Sequence, residues 1–461
     1  MKFLHIADIH LGCRRYNLDE RVKDFARSWL DVIQTYAIPH QVDFVLIAGD
    51  FFNARKVEPD AMNHAIAGLD LLRAAGIPAV AIEGNHDQKD AVSEYSWMRS
   101  LSRWGYLKLL EPTHDEAGHL ALVPWDEETK SGSYIDIAGA RIFGTHWYGT
   151  SANAAVPFLV EALRRAHGDG LFNILLLHTD VEGQLNRPNI PALSIERMKE
   201  LRALVDYLAL GHTHKRFEIE GWAFNPGSLE AVSIDEYKEE RGVYLVEVDA
   251  TRAVRAAHLR DYTQRPFQRL SYDVSGAADA AAVHAGVLEV VEREARRHDA
   301  AQDESPAPII EINLRGHLGF KNSLLDIPRM REATKQLTGA LHVMITNRSV
   351  PVEYAVAAGL DADASRQVRE RRIVEDLIAR DTRFRTRAHE MAALVLEAKQ
   401  LALSDESPEK ILDLIEQHVA PRADETTDAQ IAPAAETEAE TETELPVTTS
   451  ALRALERNAA T

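Results

Sequence analysis

The first half of this chain is punctuated by short apolar runs, "FLHIAD", "FVLIAG", "PAVAIEG" and "FNILLLH", bounded by glycine or polar residues. They are largely continuous rather than alternating, the pattern of strands buried on both faces. Amphipathic stretches separate them: "ERVKDFARSWLDVIQTYA", and "EPDAMNHAIAGLDLLRAAG", whose end is marked by Gly76 and Pro78. Strand–helix–strand order implies parallel pairing with helices covering the sheet. Later, "SYIDIAGARIFGTHW" and "WAFNPGSLEAV…GVYLVEVD" read as hairpins. The expected fold is an α/β core with a second, mixed sheet.

From about Arg265 the texture changes. "FQRLSYDV", "APIIEINLRGHL" and "LHVMITNRSV" are strand candidates, separated by helical segments near Ala278–His298 and Ser323–Leu337. Together they predict a small β-α-β-α-β unit. Beyond Asp361 the chain reads as charged helix. Val368, Ile373, Val374, Leu377 and Ile378 trace one stripe; Met391, Leu394, Val395 and Leu401 trace another. Ser407 and Pro408 make a helix start, N-cap followed by first turn. After Ala420 the acidic, aromatic-free "ETEAETETELP" predicts disorder. The expected division is an α/β domain over 1–264, a small α+β domain over 265–350, a helical region over 351–421 and an acidic tail over 422–461.

Composition narrows the function classes. The single cysteine, Cys13, excludes an internal disulfide framework and fits a reducing compartment. The N-terminal "MKFLHIADIH" is not a signal peptide, and no segment approaches the ~20 apolar residues of a bilayer span. A cytoplasmic protein without membrane attachment is expected. A net charge of −20 disfavours a protein that simply coats DNA. Eight acidic residues and no basic one lie between Ala423 and Pro446, however, which leaves −12 for the rest. Local patches and bound metals, rather than net charge, decide contacts with phosphate. An enzyme whose metals meet phosphate directly therefore stays open.

The apolar runs also share an ending. "HIADIHLG" finishes in Asp8 and His10, "LIAGDFFN" in Asp50, "IEGNHDQKD" in Asn85, "ILLLHTD" in His178, and "LALGHTHKR" in His212 and His214. Residues at i and i+2 lie on one side of an extended segment. Sites in open α/β sheets form at such carboxyl ends. Seven ligands exceed one mononuclear site but suit two metals sharing a carboxylate. Imidazole, carboxylate and amide oxygen without thiolate suit Mn²⁺, Fe²⁺ or Zn²⁺ better than Ca²⁺. Two such ions can activate a hydroxide and clamp an in-line phosphoryl displacement. His86, beside Asn85 and not needed as a ligand, is placed to stabilise transition-state charge or protonate the leaving oxygen. His5, His64 and His146 read as packing or surface residues.

The ordered motifs D-x-H, G-D, G-N-H-D, H and G-H-T-H resemble those of the calcineurin-like metallophosphoesterase superfamily over roughly the first 230 residues. That resemblance implies a four-layer sandwich of two mixed sheets flanked by helices. It implies Asp8, His10, Asp50 and His214 around one metal, and Asp50 as a bridge to a second held by Asn85, His178 and His212. His86 becomes the catalytic histidine. "MKFLHIADIHLG", "ERGVYLVEVD" and the domain order are similar to the nuclease subunit of SbcCD-type DNA repair complexes. The implied activity is Mn²⁺-dependent DNA cleavage, exonuclease on duplex ends and endonuclease on single strands or hairpins. The small domain becomes a capping domain, and the C-terminal helical arm grips an SMC-type coiled-coil ATPase within a homodimeric assembly. "GDFFN" departs from relatives with His or Asp three residues after the bridging Asp, because Asn53 cannot transfer a proton. Arg14, Arg15, Arg55 and Lys56 follow ligand loops and are candidates to neutralise DNA phosphates. A phosphodiesterase for nucleotides or small phosphoesters is the alternative, and a DNA-end tether with incidental hydrolysis is a third.

Overall fold

A computed structural model describes residues 1–185, 191–299, 306–350, 365–379, 381, 383–404 and 407–419. The acidic tail and the segment 351–364 lie outside them, so the expected disorder of the tail is a statement about sequence alone.

The apolar runs are strands, and every residue of them from Phe44 to Ala48, Ala79 to Ile82, Phe172 to His178 and Tyr207 to Gly211 is buried. They are shared between two six-stranded mixed sheets. In the first, Lys2–Ile6, Phe44–Ala48, Ala79–Ile82 and Lys108–Leu109 run parallel, and Val243–Val248 and Val254–Leu259 extend one edge antiparallel. In the second, Ala140–Phe143, Phe172–His178, Tyr207–Gly211 and Ala223–Asn225 run parallel between the antiparallel edge strands Tyr134–Ile137 and Phe217–Ile219.

Period-two geometry explains why these strands are apolar on both faces. Phe3, Phe44, Leu46, Ile174, Leu176 and Tyr207 fill the core between the sheets. Their chain neighbours Leu4, Val45 and Ile47 face Trp29, Val32, Leu69 and Leu72 of the helices Asp19–Val32 and Pro59–Ala74. Leu175, Leu177 and Leu208 face Val156, Leu159 and Leu163 of Ala152–Ala166. The result is four layers, helix–sheet–sheet–helix.

One expectation needs correction. "SYIDIAGARIFG" is a hairpin, with Tyr134 opposite Phe143. "WAFNPGSLEAV…GVYLVEVD" is not: Ala223–Asn225 pairs with Phe217–Ile219, while Val243–Val248 crosses to the first sheet beside Lys2–Ile6. The intervening chain, rather than turning tightly, carries the loop 226–242 past the ends of both sheets.

The later strands Phe267–Asp273, Ile309–Arg315 and His342–Asn347 form a third sheet in that order, with helices Ala280–Asp299 and Ile327–Thr338 between them in sequence. By packing, the described residues form two compact units: those of Met1–Leu270, Val291–Ile312 and Glu332–Met344, and those of Ser271–Val290, Asn313–Arg331 and from Ile345 onward. In the second unit, helix Ala388–Leu403 packs against both Arg366–Ile378 and Pro408–Val419. Met391 and Leu394 are buried there, whereas Val368, Ile373 and Leu377 stay exposed. Among the described residues no helix is long and apolar enough to cross a membrane.

Candidate functional site

The carboxyl ends of the central strands of both sheets converge, and the residues that terminate them meet. Asp8, His10 and His214 form one group whose ligand atoms lie within 4.8 Å of one another; Asp50, His178 and His212 form a second, and His10, Asp50 and His86 a third. Asp50 Oδ2 stands 3.3 Å from His178 Nε2 and 3.8 Å from His10 Nε2, between the two histidine sets. Asn85 Oδ1 lies 3.2 Å from His178 Nε2 and 3.0 Å from His212 Nδ1. All seven candidate ligands and His86 are thus brought to one place.

Local backbone geometry aims them. Asp8, His10, Asp50 and His212 adopt φ of 51°, 49°, 51° and 89°, the left-handed region that non-glycine residues rarely occupy. Such conformations cost about 1–3 kcal/mol each and persist where surrounding structure holds them. The holding bonds are visible. Ile9 and His10 donate backbone N–H groups to Asp50 C=O at 2.9 and 3.0 Å, and His212 N–H reaches both Asp8 oxygens at 3.0 and 3.1 Å. His86 N–H donates to Asp50 Oδ1 at 2.9 Å. Gly84 allows the close approach, since a Cβ there would run into the Asp50 carboxylate.

Asp87 supports this arrangement without joining it. Its buried carboxylate accepts three backbone N–H groups, from Phe51 and Gly84 on Oδ2 at 3.1 and 3.0 Å and from Phe52 on Oδ1 at 2.9 Å. It therefore ties the Asp50 loop to the Asn85–His86 loop. His86 Nδ1–H donates to the Asn53 carbonyl at 2.7 Å, which leaves Nε2 free to act. Asn53 thus serves His86 through its main chain, a role open to any residue there.

Electrostatics set the site apart from an ordinary core. Burial pushes the Asp8 carboxyl up to about 6 against the pull of His178 and His214. Burial also opposes charge on Asp50 and on His178. Their close pairing outweighs it, holding Asp50 well below the usual carboxylate range and raising His178 to about 9. Burial, with His178 next to it, lowers His212 to about 4.

The donor set fits divalent cations. His178 Nδ1–H donates to the Ala48 carbonyl at 2.8 Å, so a cation that replaces the proton Asp50 favours on this ring meets a lone pair at Nε2. That lone pair faces the oxygens of Asn85 and Asp50, a convergence of acceptors that a cation satisfies. His214 Nδ1 is likewise occupied, by Glu236 at 2.9 Å, while its Nε2 lies 3.0 Å from His10 Nε2. His10 Nδ1 is buried with no hydrogen-bond partner among the described residues.

The proposed basic residues lie outside the cluster. Arg14 pairs with Asp19 at 2.8 Å, Arg15 stacks over Tyr16, and Arg55 is exposed. Lys56 is 84% exposed and 3.8 Å from Asp90. His5 is a packing residue: its Nε2–H donates to the Leu210 carbonyl and its Nδ1 accepts from the Tyr207 hydroxyl, both at 3.0 Å. Sequence reading missed Asp87 and Glu236 as supports. Asp87 was within reach, two residues beyond Asn85. Glu236 sits in the charged run "SIDEYKEERG", which reads as ordinary surface.

The calcineurin-like phosphoesterase family profile matches residues 1–216. The DNA double-strand break repair protein Mre11 of Methanococcus maripaludis is 44% identical over 285 residues, 58% of this chain and 68% of that protein. The chain belongs to the Mre11 family. Mre11 of Archaeoglobus fulgidus is 30% identical over 251 residues, 51% of this chain and 52% of that protein. Mre11 of Sulfolobus acidocaldarius is 27% identical over 256 residues, 54% of this chain and 60% of that protein. The chain thus spans between about half and three-fifths of the length of these two Mre11 relatives.

Proposed function

We propose that this chain is a metal-dependent DNA nuclease that hydrolyses phosphodiesters with a dinuclear centre. The observation that carries the reading is the convergence of seven candidate ligands from both sheets on the shared Asp50 carboxylate, in a chain of the Mre11 family. Asp8, His10, Asp50 and His214 would hold one ion, and Asp50, Asn85, His178 and His212 the other, with Mn²⁺ the expected metal. Such ions, when bound, supply charge neutralisation for the phosphodiester and an acidified water.

The chain's own residues do the remaining work. Asp87 fixes the two loops that present Asp50 and His86. The Asn53 carbonyl holds the Nδ1–H of His86 and so directs Nε2; it is the imidazolium form, with a second proton on Nε2, that can hydrogen-bond a phosphoryl oxygen or pass that proton to the leaving oxygen. The segment 265–350 is read as a capping domain over DNA and the helices between Arg366 and Val419 as an arm for an SMC-type ATPase, in a homodimeric, cytoplasmic assembly. The exposed Val368, Ile373 and Leu377 on the first of those helices support an arm with an uncovered apolar face.

The test is Mn²⁺-dependent degradation of end-labelled linear duplex DNA, beside a nitrophenyl phosphodiester, by the wild type and His86→Ala. DNA loss that disappears in the variant is expected. Hydrolysis of the small diester alone, with or without an added ATPase, would move the chain to the small-phosphoester reading.

A further inference from the structure

The side chains of Asp8, Asp50 and His178 are each held by a hydrogen bond to the main chain. Among the described residues the His214 side chain has no such main-chain bond, and it lies three residues beyond the strand Tyr207–Gly211, in irregular chain. Its Nδ1 is 2.9 Å from Glu236 Oε1. A carboxylate only accepts at neutral pH, so this contact places the imidazole proton on Nδ1 and leaves Nε2 as the lone pair facing Asp8 and His10.

Glu236 is itself fixed. Oε2 accepts from Val232 N–H at 2.9 Å and from Arg241 Nη1 at 3.2 Å, which leaves Oε1 committed to His214. Arg241, 7% exposed, also donates to the Glu236 and Glu239 carbonyls and to Ser228 Oγ. The short helical turn Ile234–Glu236 is pinned from the other side, where Ile234 N–H donates to the Tyr16 hydroxyl at 2.7 Å. Tyr16 follows the Asp8–His10 loop and holds a left-handed φ of 62°. The brace therefore links the loop carrying the first ligands to the loop carrying the last. Among the described residues His212 has no equivalent: its Nε2 is 3.6 Å from Asp180 Oδ2, beyond hydrogen-bond distance.

We infer that Glu236, held by Arg241 and Val232, is a positioning residue that fixes the tautomer and direction of His214 and so sets the affinity of one of the two metal positions. The inference rests on the reading of His214 as a ligand. It deepens that reading by assigning a support that acts on one position and not the other. Partners of this kind, behind a ligand imidazole, change metal affinity by about 10–100-fold.

Glu236→Gln is a discriminating variant because the amide has one acceptor and one donor end. Val232 N–H and Arg241 together demand the oxygen, which turns the –NH₂ toward His214. Imidazole must then accept at Nδ1 and carry its proton on Nε2, the wrong atom for a ligand. Titration calorimetry with Mn²⁺ alone should show two sites in the wild type. In Glu236→Gln, one should weaken by about 10–100-fold and the other stay unchanged, with activity returning at high Mn²⁺. His214→Ala should weaken the same site at least as much. If His214→Ala leaves both affinities unchanged, the ligand reading fails. If His214→Ala weakens one site and Glu236→Gln does not, or weakens both equally, the brace fails while the ligand reading stands. A measurement on the wild type is independent of how the variants fold. With Zn²⁺ bound, ¹⁵N NMR of labelled histidine should report His214 protonated on Nδ1, and protonation on Nε2 would overturn the inference.

Discussion

Replacing Asp87 by Asn tests whether the centre depends on a group that touches no metal. The carboxylate accepts three buried main-chain N–H groups, two on one oxygen and one on the other. An amide of the same shape can keep the Phe51 and Gly84 bonds on its oxygen, but its –NH₂ then faces the Phe52 N–H, donor against donor. The loss comprises one hydrogen bond to a charged group, about 1.5–3 kcal/mol, and one buried donor left unsatisfied, about 1–3 kcal/mol. A net destabilisation of about 3 kcal/mol would lower the urea midpoint by roughly 1–3 M, given slopes of ~1–3 kcal/mol per molar urea. The Asp50 and His86 loops would also loosen. A misplacement near 1 Å costs about a hundredfold in rate. The assay is urea unfolding at pH 8, Mn²⁺ content and phosphodiester turnover, with the surface substitution Asp70→Asn as control. Expected are a lower midpoint, slower turnover and retained metal. A midpoint within 0.2 M of wild type (roughly, on the same slope) with turnover within twofold would refute the clamp, and loss of metal would make Asp87 a ligand.

Further outcomes follow from other sites. His86→Ala should abolish turnover while both ions still bind, as measured by metal analysis after gel filtration; loss of an ion would place His86 in the ligand set with His10 and Asp50. Burial holds the His5 imidazole down at about 3, against its bond to the Leu210 carbonyl, so the folded protein resists protonating it. A histidine depressed below its ordinary 6.5 contributes stability above that pH, and the contribution is lost as pH falls toward 3. His5→Phe should therefore narrow its stability deficit, or turn it into a gain, between pH 7 and pH 4 in urea titrations. Parallel pH curves for the two proteins would contradict this. Leu46→Ala, in the core between the sheets, should cost about 2–5 kcal/mol, visible as a fall in Tm. Deleting the helices from Arg366 to Val419 should end co-purification with a coiled-coil ATPase and leave Mn²⁺-dependent hydrolysis of a small diester intact.

The parts of the site that were legible share one physical cause. A ligand at the carboxyl end of a buried strand leaves a sharp local contrast, apolar run then polar side chain, and Asp8, Asp50, Asn85, His178 and His212 each stand in that contrast. The supports leave none. Asp87 acts through main-chain N–H groups, which every sequence possesses. Glu236 reaches His214 from a charged segment whose partner lies 22 residues away. The left-handed conformations of Asp8, His10, Asp50 and His212 were equally invisible, because no glycine or asparagine marks them. The misread hairpin has the same origin. Ala223–Asn225 and Val243–Val248 both look like strands, and only the two-sheet packing decides that they belong to different sheets.

His10 and His214 meet across 204 residues of chain. A growing polypeptide therefore displays Asp8, His10, Asp50 and Asn85 long before the strand that carries His212 and His214 leaves the ribosome. Contacts of that span form late, after the entropy of closing a long loop has been met. The proposed nuclease is consequently inert through synthesis and becomes competent only when both sheets close on each other. From then on metal and fold support each other: an ion bound at a hundred times its Kd adds about 2.7 kcal/mol to the native state. Starving the cell of the metal would shorten the lifetime of the folded protein as well as slow its turnover.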